Sequence, residues 1–152
     1  MNKEELIEKV YRVFSVFEKP EKCTNYLDFE DAEFNPILLS ATRRSLNVEQ
    51  VGTVGWGPLP CMNPEGLAFF MPRLIELAVN GIIDKDGDAF YFQFINAFFD
   101  GAKNKRFRLF RKDQREAMAD TFEFLCHNYK EQLADEGWLD ETLSAITEWR
   151  ST

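Results

Sequence analysis

Apolar residues recur at helical spacing near the start of the chain. Steps of four, four and three residues place them on one helix face, and they are Leu6, Val10, Phe14 and Phe17. Asn2 is a candidate N-cap, and Pro20 cannot continue the helix. The pattern predicts a helix over residues 3–18 that packs its apolar face on the core.

A second long stretch with this spacing begins at residues 113–116, D-Q-R-E, which match a capping box. Apolar residues follow at steps of four, three, four and four, and they are Met118, Phe122, Leu125, Tyr129 and Leu133. The pattern predicts a helix that ends near Gly137. A short last helix is expected to start at Asp140.

Residues 63–81 combine a helix start, an apolar face and a helix stop. Asn63 is the candidate N-cap, and Pro64 occupies the first helical position, where no backbone N–H is needed. Pro72 lies inside the pattern, and it predicts either a kink or the start of a second helix because it cannot donate to residue 68. Gly81 predicts the end of the helix.

Two further segments are expected to be helical. Phenylalanines repeat every four residues in 88–100, which favours a helix, although the alternation over 90–94 would also suit a strand. A short helix over about residues 28–34 is expected to end before Pro36, because proline disfavours helical geometry in the residue before it.

The chain is therefore predicted to be mainly α, a single compact domain of residues 1–152 with five to seven helices. A small strand pair near 103–111 stays open, because charged and apolar residues alternate from Arg106 to Arg111. Fifteen phenylalanines predict an aromatic core, since this side chain has no polar group to expose.

Residues 52–60, G-T-V-G-W-G-P-L-P, have the composition of a loop. The glycines lack the spacing of a dinucleotide-binding motif, and prolines follow where its helix would begin. We expect a turn that seats Trp56 against the core, with Trp56 also a candidate contact for a partner. This segment is called the Trp56 loop below.

The net charge of −8 argues against general binding to nucleic acids or to anionic membranes. Apolar runs fall far short of the ~20 residues that span a bilayer, and the first ten residues carry acids where a signal peptide needs an apolar run. Three widely spaced cysteines without a C-x-x-C motif fit a reducing compartment. We expect a cytoplasmic protein.

Candidate chemistry is sparse. His127 is the only histidine, and no catalytic residue or cofactor is predicted. A calcium loop that starts at Asp84 would need glycine and glutamate at its sixth and twelfth positions, where this chain has Ala89 and Ile95. An acidic cluster could hold Mg²⁺, Mn²⁺ or Ca²⁺, and it consists of Asp28, Glu30, Asp31 and Glu33. An exposed acidic helix explains the same residues, and the charge pattern favours that interpretation.

A run of basic residues stands out in this acidic chain. Residues 103–112, called the basic segment below, contain Lys103, Lys105, Arg106, Arg108, Arg111 and Lys112. Such a run could bind an acidic partner or a nucleic-acid backbone. A solvated loop whose charges offset the protein's own acids is the competing interpretation.

Three motifs resemble those of a family of uncharacterised bacterial proteins of about this length. They are W-G-P-L at 56–59, P-E-G-L-A-F-F-M-P at 64–72 and F-R-K-D-Q-R-E-A at 110–117. Some members carry a Cys/His-rich stretch where this chain has residues 27–34, with aspartates in place of the cysteines. The resemblance implies a fold and no reaction, and it places a zinc role in doubt.

The sequence therefore favours a non-enzymatic interaction or regulatory protein. Its predicted contact residues are Trp56, Lys105, Arg106, Arg108 and Arg111. Two alternatives stay open. One is a hydrolase that uses a hard cation held by the acidic cluster, and the other is weak nucleic-acid binding through the basic segment.

Overall fold

A computed structural model describes residues 1–25 and 29–151, with residues 29–31 described by their backbone alone. Within these residues the chain is mainly α and has no sheet. The helices are α1 (Lys3–Val13), α2 (Phe29–Ser40), α3 (Val48–Val51), α4 (Pro64–Val79), α5 (Phe90–Phe98), α6 (Lys112–Asn128), α7 (Lys130–Asp135) and α8 (Leu139–Arg150). The mainly α prediction is confirmed, and no described helix has the length and apolar character needed to cross a membrane.

Helix α1 begins as predicted, with the Asn2 side chain accepting from the Glu5 backbone N–H at 2.8 Å. It ends at Val13, five residues before the predicted end. Arg43 explains the early end, because its guanidinium donates to the carbonyls of Phe14 and Phe17 at 3.2 and 2.7 Å. A distant side chain thus satisfies carbonyls that turn away from the helix.

Two prolines, Pro36 and Pro72, lie in the interior of helices. The prediction that a helix ends before Pro36 is wrong, because α2 runs through it, and Pro72 starts no second helix because α4 is continuous. An interior proline costs about 3 kcal/mol. Burial of apolar side chains such as Phe34 and Leu38 on α2 offsets that cost.

The predicted helix over 113–137 is two helices, and this division together with the unpredicted α3 brings the described helices to eight. Helix α6 ends before Tyr129, whose ring stacks on Tyr91 with centroids 4.3 Å apart. The Tyr129 hydroxyl donates to the Val79 carbonyl at 2.9 Å. These two contacts hold Tyr129 outside helical geometry, and α7 starts at the next residue.

The predicted helix over 88–100 is confirmed as α5, whereas the strand pair near 103–111 is not formed. Two 3₁₀ turns, Gly101–Lys103 and Lys105–Phe107, occupy that region. Phe107 and Phe110 are both buried, and a separation of three residues matches a turn rather than the alternation of a strand.

The core draws on all eight described helices and is rich in phenylalanine, as predicted. Trp149 of α8 lies at its centre with no exposed surface. Its ring meets Phe107 edge to face at 5.3 Å, and its Nε1–H donates to the Phe98 carbonyl at 3.1 Å. The core therefore ties α5, α8 and the basic segment into one body.

Candidate partner-binding site

The Trp56 loop is a tight turn that two glycines make possible. Gly52 has a φ of 77°, and a Cβ there would lie 2.3 Å from the Trp56 carbonyl oxygen. A Cβ at Gly57 would lie 2.3 Å from the Val51 carbonyl oxygen. Only glycine avoids both the strained φ and these contacts, so the loop conformation depends on these two positions.

This turn presents apolar side chains to solvent. Val54 is 63% exposed and Trp56 is 45% exposed. The prediction that the turn seats Trp56 against the core is therefore wrong. The Trp56 ring lies beside Phe34 of α2, with centroids 5.2 Å apart.

The basic segment meets the end of the Trp56 loop. Arg106 is half-buried, and its Nη2 donates to the carbonyls of Leu59 and Met62, the latter at 3.2 Å. Lys105, Arg108 and Arg111 are exposed. The two regions that the sequence predicts as partner contacts therefore adjoin in the fold, and Arg106 joins them.

A cavity of about 200 Å³ lies between the Trp56 loop and α5. Its apolar walls are formed by Val54, Leu59, Pro60 and Ala97. Gln93 of α5 and Arg106 also line it. We call it the Gln93 cavity.

Two residues that line the Gln93 cavity carry a buried polar group that has no partner among the described residues. Gln93 is only 4% exposed, and its Oε1 atom accepts no hydrogen bond. The Nε–H of Arg106 is buried and donates to no acceptor. Burial lowers the pKa of Arg106, although an arginine stays charged at any ordinary pH. Buried groups of this kind are rare in folded proteins and call for a physical explanation.

A second cavity of about 150 Å³ shares Val54 and Gln93 with the first. It has an acidic lining, to which Asp84, Asp88 and Glu136 contribute. The Asp84 Oδ1 accepts from the backbone N–H groups of Asp86 and Asp88 at 2.9 and 3.1 Å. Asp84 therefore shapes its own turn, while Asp88 and Glu136 are exposed.

The acidic cluster at 28–33 falls largely outside the described part of the chain. Asp28 is not among the described residues, and the side chains of Glu30 and Asp31 are not described either. Glu33 is exposed on α2. Among the described residues, no group of three or more His, Cys, Asp or Glu side chains could hold a metal ion. The metal site at 28–33 stays a prediction.

The cysteines and His127 do not line the Gln93 cavity. The three cysteines are buried, and none of them forms a disulfide. Burial, with Glu123 as a smaller contribution, raises the pKa of Cys126 to about 11, which keeps its reactive thiolate scarce at neutral pH. His127 is exposed and lines a different cavity of about 480 Å³ beside Met1.

Sequence reasoning missed Gln93. A signal was present, because Gln93 follows Phe90 by three residues and so lies on the apolar face of α5. A glutamine in that register has to be buried with the phenylalanines. Which group it meets there depends on the Trp56 loop, which is distant in the sequence.

Compared with protein-family models, curated proteins and solved structures, the chain shows no significant match.

Proposed function

We propose that this protein is a non-enzymatic interaction or regulatory protein of the cytoplasm. It binds a partner protein through a composite surface formed by the Trp56 loop, the Gln93 cavity and the basic segment. One observation carries the proposal: Arg106 reaches from the basic segment to the carbonyls of Leu59 and Met62 at the end of the Trp56 loop.

The residue types on this surface support the proposal. Tryptophan and arginine are the side chains most enriched among residues that dominate binding energy at protein interfaces. Here an exposed tryptophan and an exposed valine lie beside a cavity, and Arg106 forms part of its wall. A partner that covers Trp56 and Val54 would remove apolar area from water, which is the main favourable term in association.

The charges of the basic segment also support an acidic partner. None of Lys105, Arg106, Arg108 and Arg111 forms an ion pair with a carboxylate in the part of the chain that is described. No described carboxylate therefore pairs with these charges, although the whole protein carries −8. An acidic protein surface would complement the segment and speed the encounter at low salt.

Affinity capture with the full chain as bait tests the proposal. We expect Trp56→Ala to abolish recovery of the same partner that the unmodified protein recovers, and Arg108→Ala to weaken it in a salt-dependent manner. Leu143→Ala is the matched control, because Leu143 is a 49% exposed apolar residue of α8 that belongs to neither the Trp56 loop, the Gln93 cavity nor the basic segment. Equal recovery with the Trp56 and Leu143 variants would contradict the proposal.

Nucleic-acid binding through the basic segment is the alternative that the same charges allow. It predicts binding whose affinity falls steeply with salt and that is independent of Trp56. Titration of the protein into labelled single- and double-stranded oligonucleotides at low salt separates the two functions. Binding that depends on Arg108 but is unchanged by Trp56→Ala would favour nucleic acid.

A further inference from the structure

Two residues that line the Gln93 cavity each carry a buried polar atom that has no partner among the described residues. The first is an acceptor, the Oε1 atom of Gln93, which is only 4% exposed. The second is a donor, the Nε–H of Arg106. Four apolar residues, Val54, Leu59, Pro60 and Ala97, and the polar residues Thr53 and Asn96 complete the lining. A complementary ligand has an apolar stem and a head group with both a donor and an acceptor.

We infer that the Gln93 cavity binds the carboxamide side chain of an asparagine or glutamine of the partner, an inference that rests on the proposed function. The carboxamide oxygen accepts from the Arg106 Nε–H, and its NH₂ donates to Gln93 Oε1. The methylene stem of the ligand lies against the apolar walls. Both unpartnered groups are then satisfied by one side chain.

Other ligand chemistries satisfy the cavity less completely. A carboxylate can accept from Arg106 but offers Gln93 Oε1 no donor, and an apolar side chain leaves both groups without a partner. A main-chain amide carries both groups, but in a trans peptide the C=O and N–H point in opposite directions. A primary carboxamide presents its oxygen and its NH₂ from one carbon atom.

The size of the cavity agrees with a side chain rather than with a cofactor. Sites for drug-sized molecules and cofactors enclose about 300–1,000 Å³, whereas this cavity has about 200 Å³. Val54 at its edge is exposed and belongs to the same loop as Trp56. A partner that covers Trp56 is therefore positioned to insert a neighbouring side chain.

The test is a titration of the ¹⁵N-labelled full chain, followed through the Gln93 side-chain NH₂ and the Arg106 Nε–H resonances. The probe is N-acetyl-glutamine methylamide. The glutamate analogue tests for a carboxylate ligand, and the alanine analogue has the main-chain amides alone. We expect saturable shifts of both resonances with the glutamine probe and no comparable response to the other two.

Two variants sharpen the test. Gln93→Leu is of similar size and removes the acceptor, and we expect it to weaken binding of the glutamine probe at least about tenfold, the effect of losing one buried hydrogen bond. Gln132→Leu is the matched control, because it makes the same replacement at an exposed glutamine of α7 that does not line the cavity. It should bind the probe with unchanged affinity.

Each other outcome overturns the inference. An equal response to the alanine probe would mean that main-chain amides bind, and a stronger response to the glutamate probe would mean that the site selects anions. No shift at about 100 mM glutamine probe, a concentration that detects even very weak binding, would mean that the cavity holds water alone. If one of these three results is obtained but partner capture still requires Trp56, the inference about the cavity is wrong and the proposed function stands. If the glutamine probe binds but partner capture does not require Trp56, the proposed function is wrong and the inference about the cavity stands.

Discussion

Replacement of Gln93 by leucine should make the protein more stable. The Gln93 side chain is buried, and its Oε1 has no partner among the described residues. A buried polar group without a hydrogen bond costs about 1–3 kcal/mol, and its replacement by an apolar group of the same shape removes that cost. Glutamine and leucine differ in branching, and imperfect fit in a core costs up to about 1.5 kcal/mol.

The difference between these terms predicts a net gain of about 1 kcal/mol in the free energy of unfolding. For 152 residues, the unfolding entropy is about 0.3 kcal/mol per kelvin, at about 2.1 cal/mol per kelvin for each residue. The Tm of the Gln93→Leu variant should therefore rise by about 3 °C.

Thermal and urea unfolding followed by circular dichroism measure this change. Asn96→Leu serves as the control, because Asn96 is exposed on the same helix, and surface substitutions usually change stability by less than about 0.5 kcal/mol. A loss of stability in Gln93→Leu would refute the reasoning. It would mean that a buried water satisfies Oε1 and that the amide has a structural role.

Three further predictions concern the loop, the core and a buried thiol. Gly52→Ala should lower the urea midpoint of unfolding, because it combines a positive φ with a Cβ 2.3 Å from a carbonyl oxygen, whereas Gly55→Ala, with nothing within 4 Å of its Cβ, should not. Trp149→Ala should lower the free energy of unfolding by about 3–5 kcal/mol in the same assay, and a smaller decrease would contradict the complete burial of this side chain. Burial raises the pKa of the Cys126 thiol in the folded state to about 11, while the thiol of the unfolded chain has a pKa of about 8.5. Stability should therefore fall as the pH rises through this interval, and a Cys126→Ala variant that falls equally would refute this origin.

Local signals in the sequence determined the helices. Asn2 and Asn63 cap α1 and α4 as their positions predict, with side-chain oxygens 2.8 and 2.7 Å from the backbone nitrogens of Glu5 and Gly66. Each of these signals involves residues within one helical turn, so it does not depend on how the rest of the chain packs. The mainly α class and the phenylalanine-rich core follow from the same periodicity.

The places where helices end needed the tertiary structure. Arg43 satisfies carbonyls after α1, and Tyr129 ends α6 through contacts with Tyr91 and Val79. In each case the deciding partner lies more than twenty residues away. A packed partner can outweigh local preference, because propensities differ by less than about 1 kcal/mol per residue.

The candidate site depends even more on distant contacts. The sequence alone indicated Trp56 and the basic segment as separate features, and only the fold brings Arg106 against Leu59, 47 residues away. Whether Gln93 and Arg106 find hydrogen-bond partners depends on every group around them, and no local pattern contains that information. Helix formation is mostly local, whereas a cavity between a loop and a helix exists only after the core has packed.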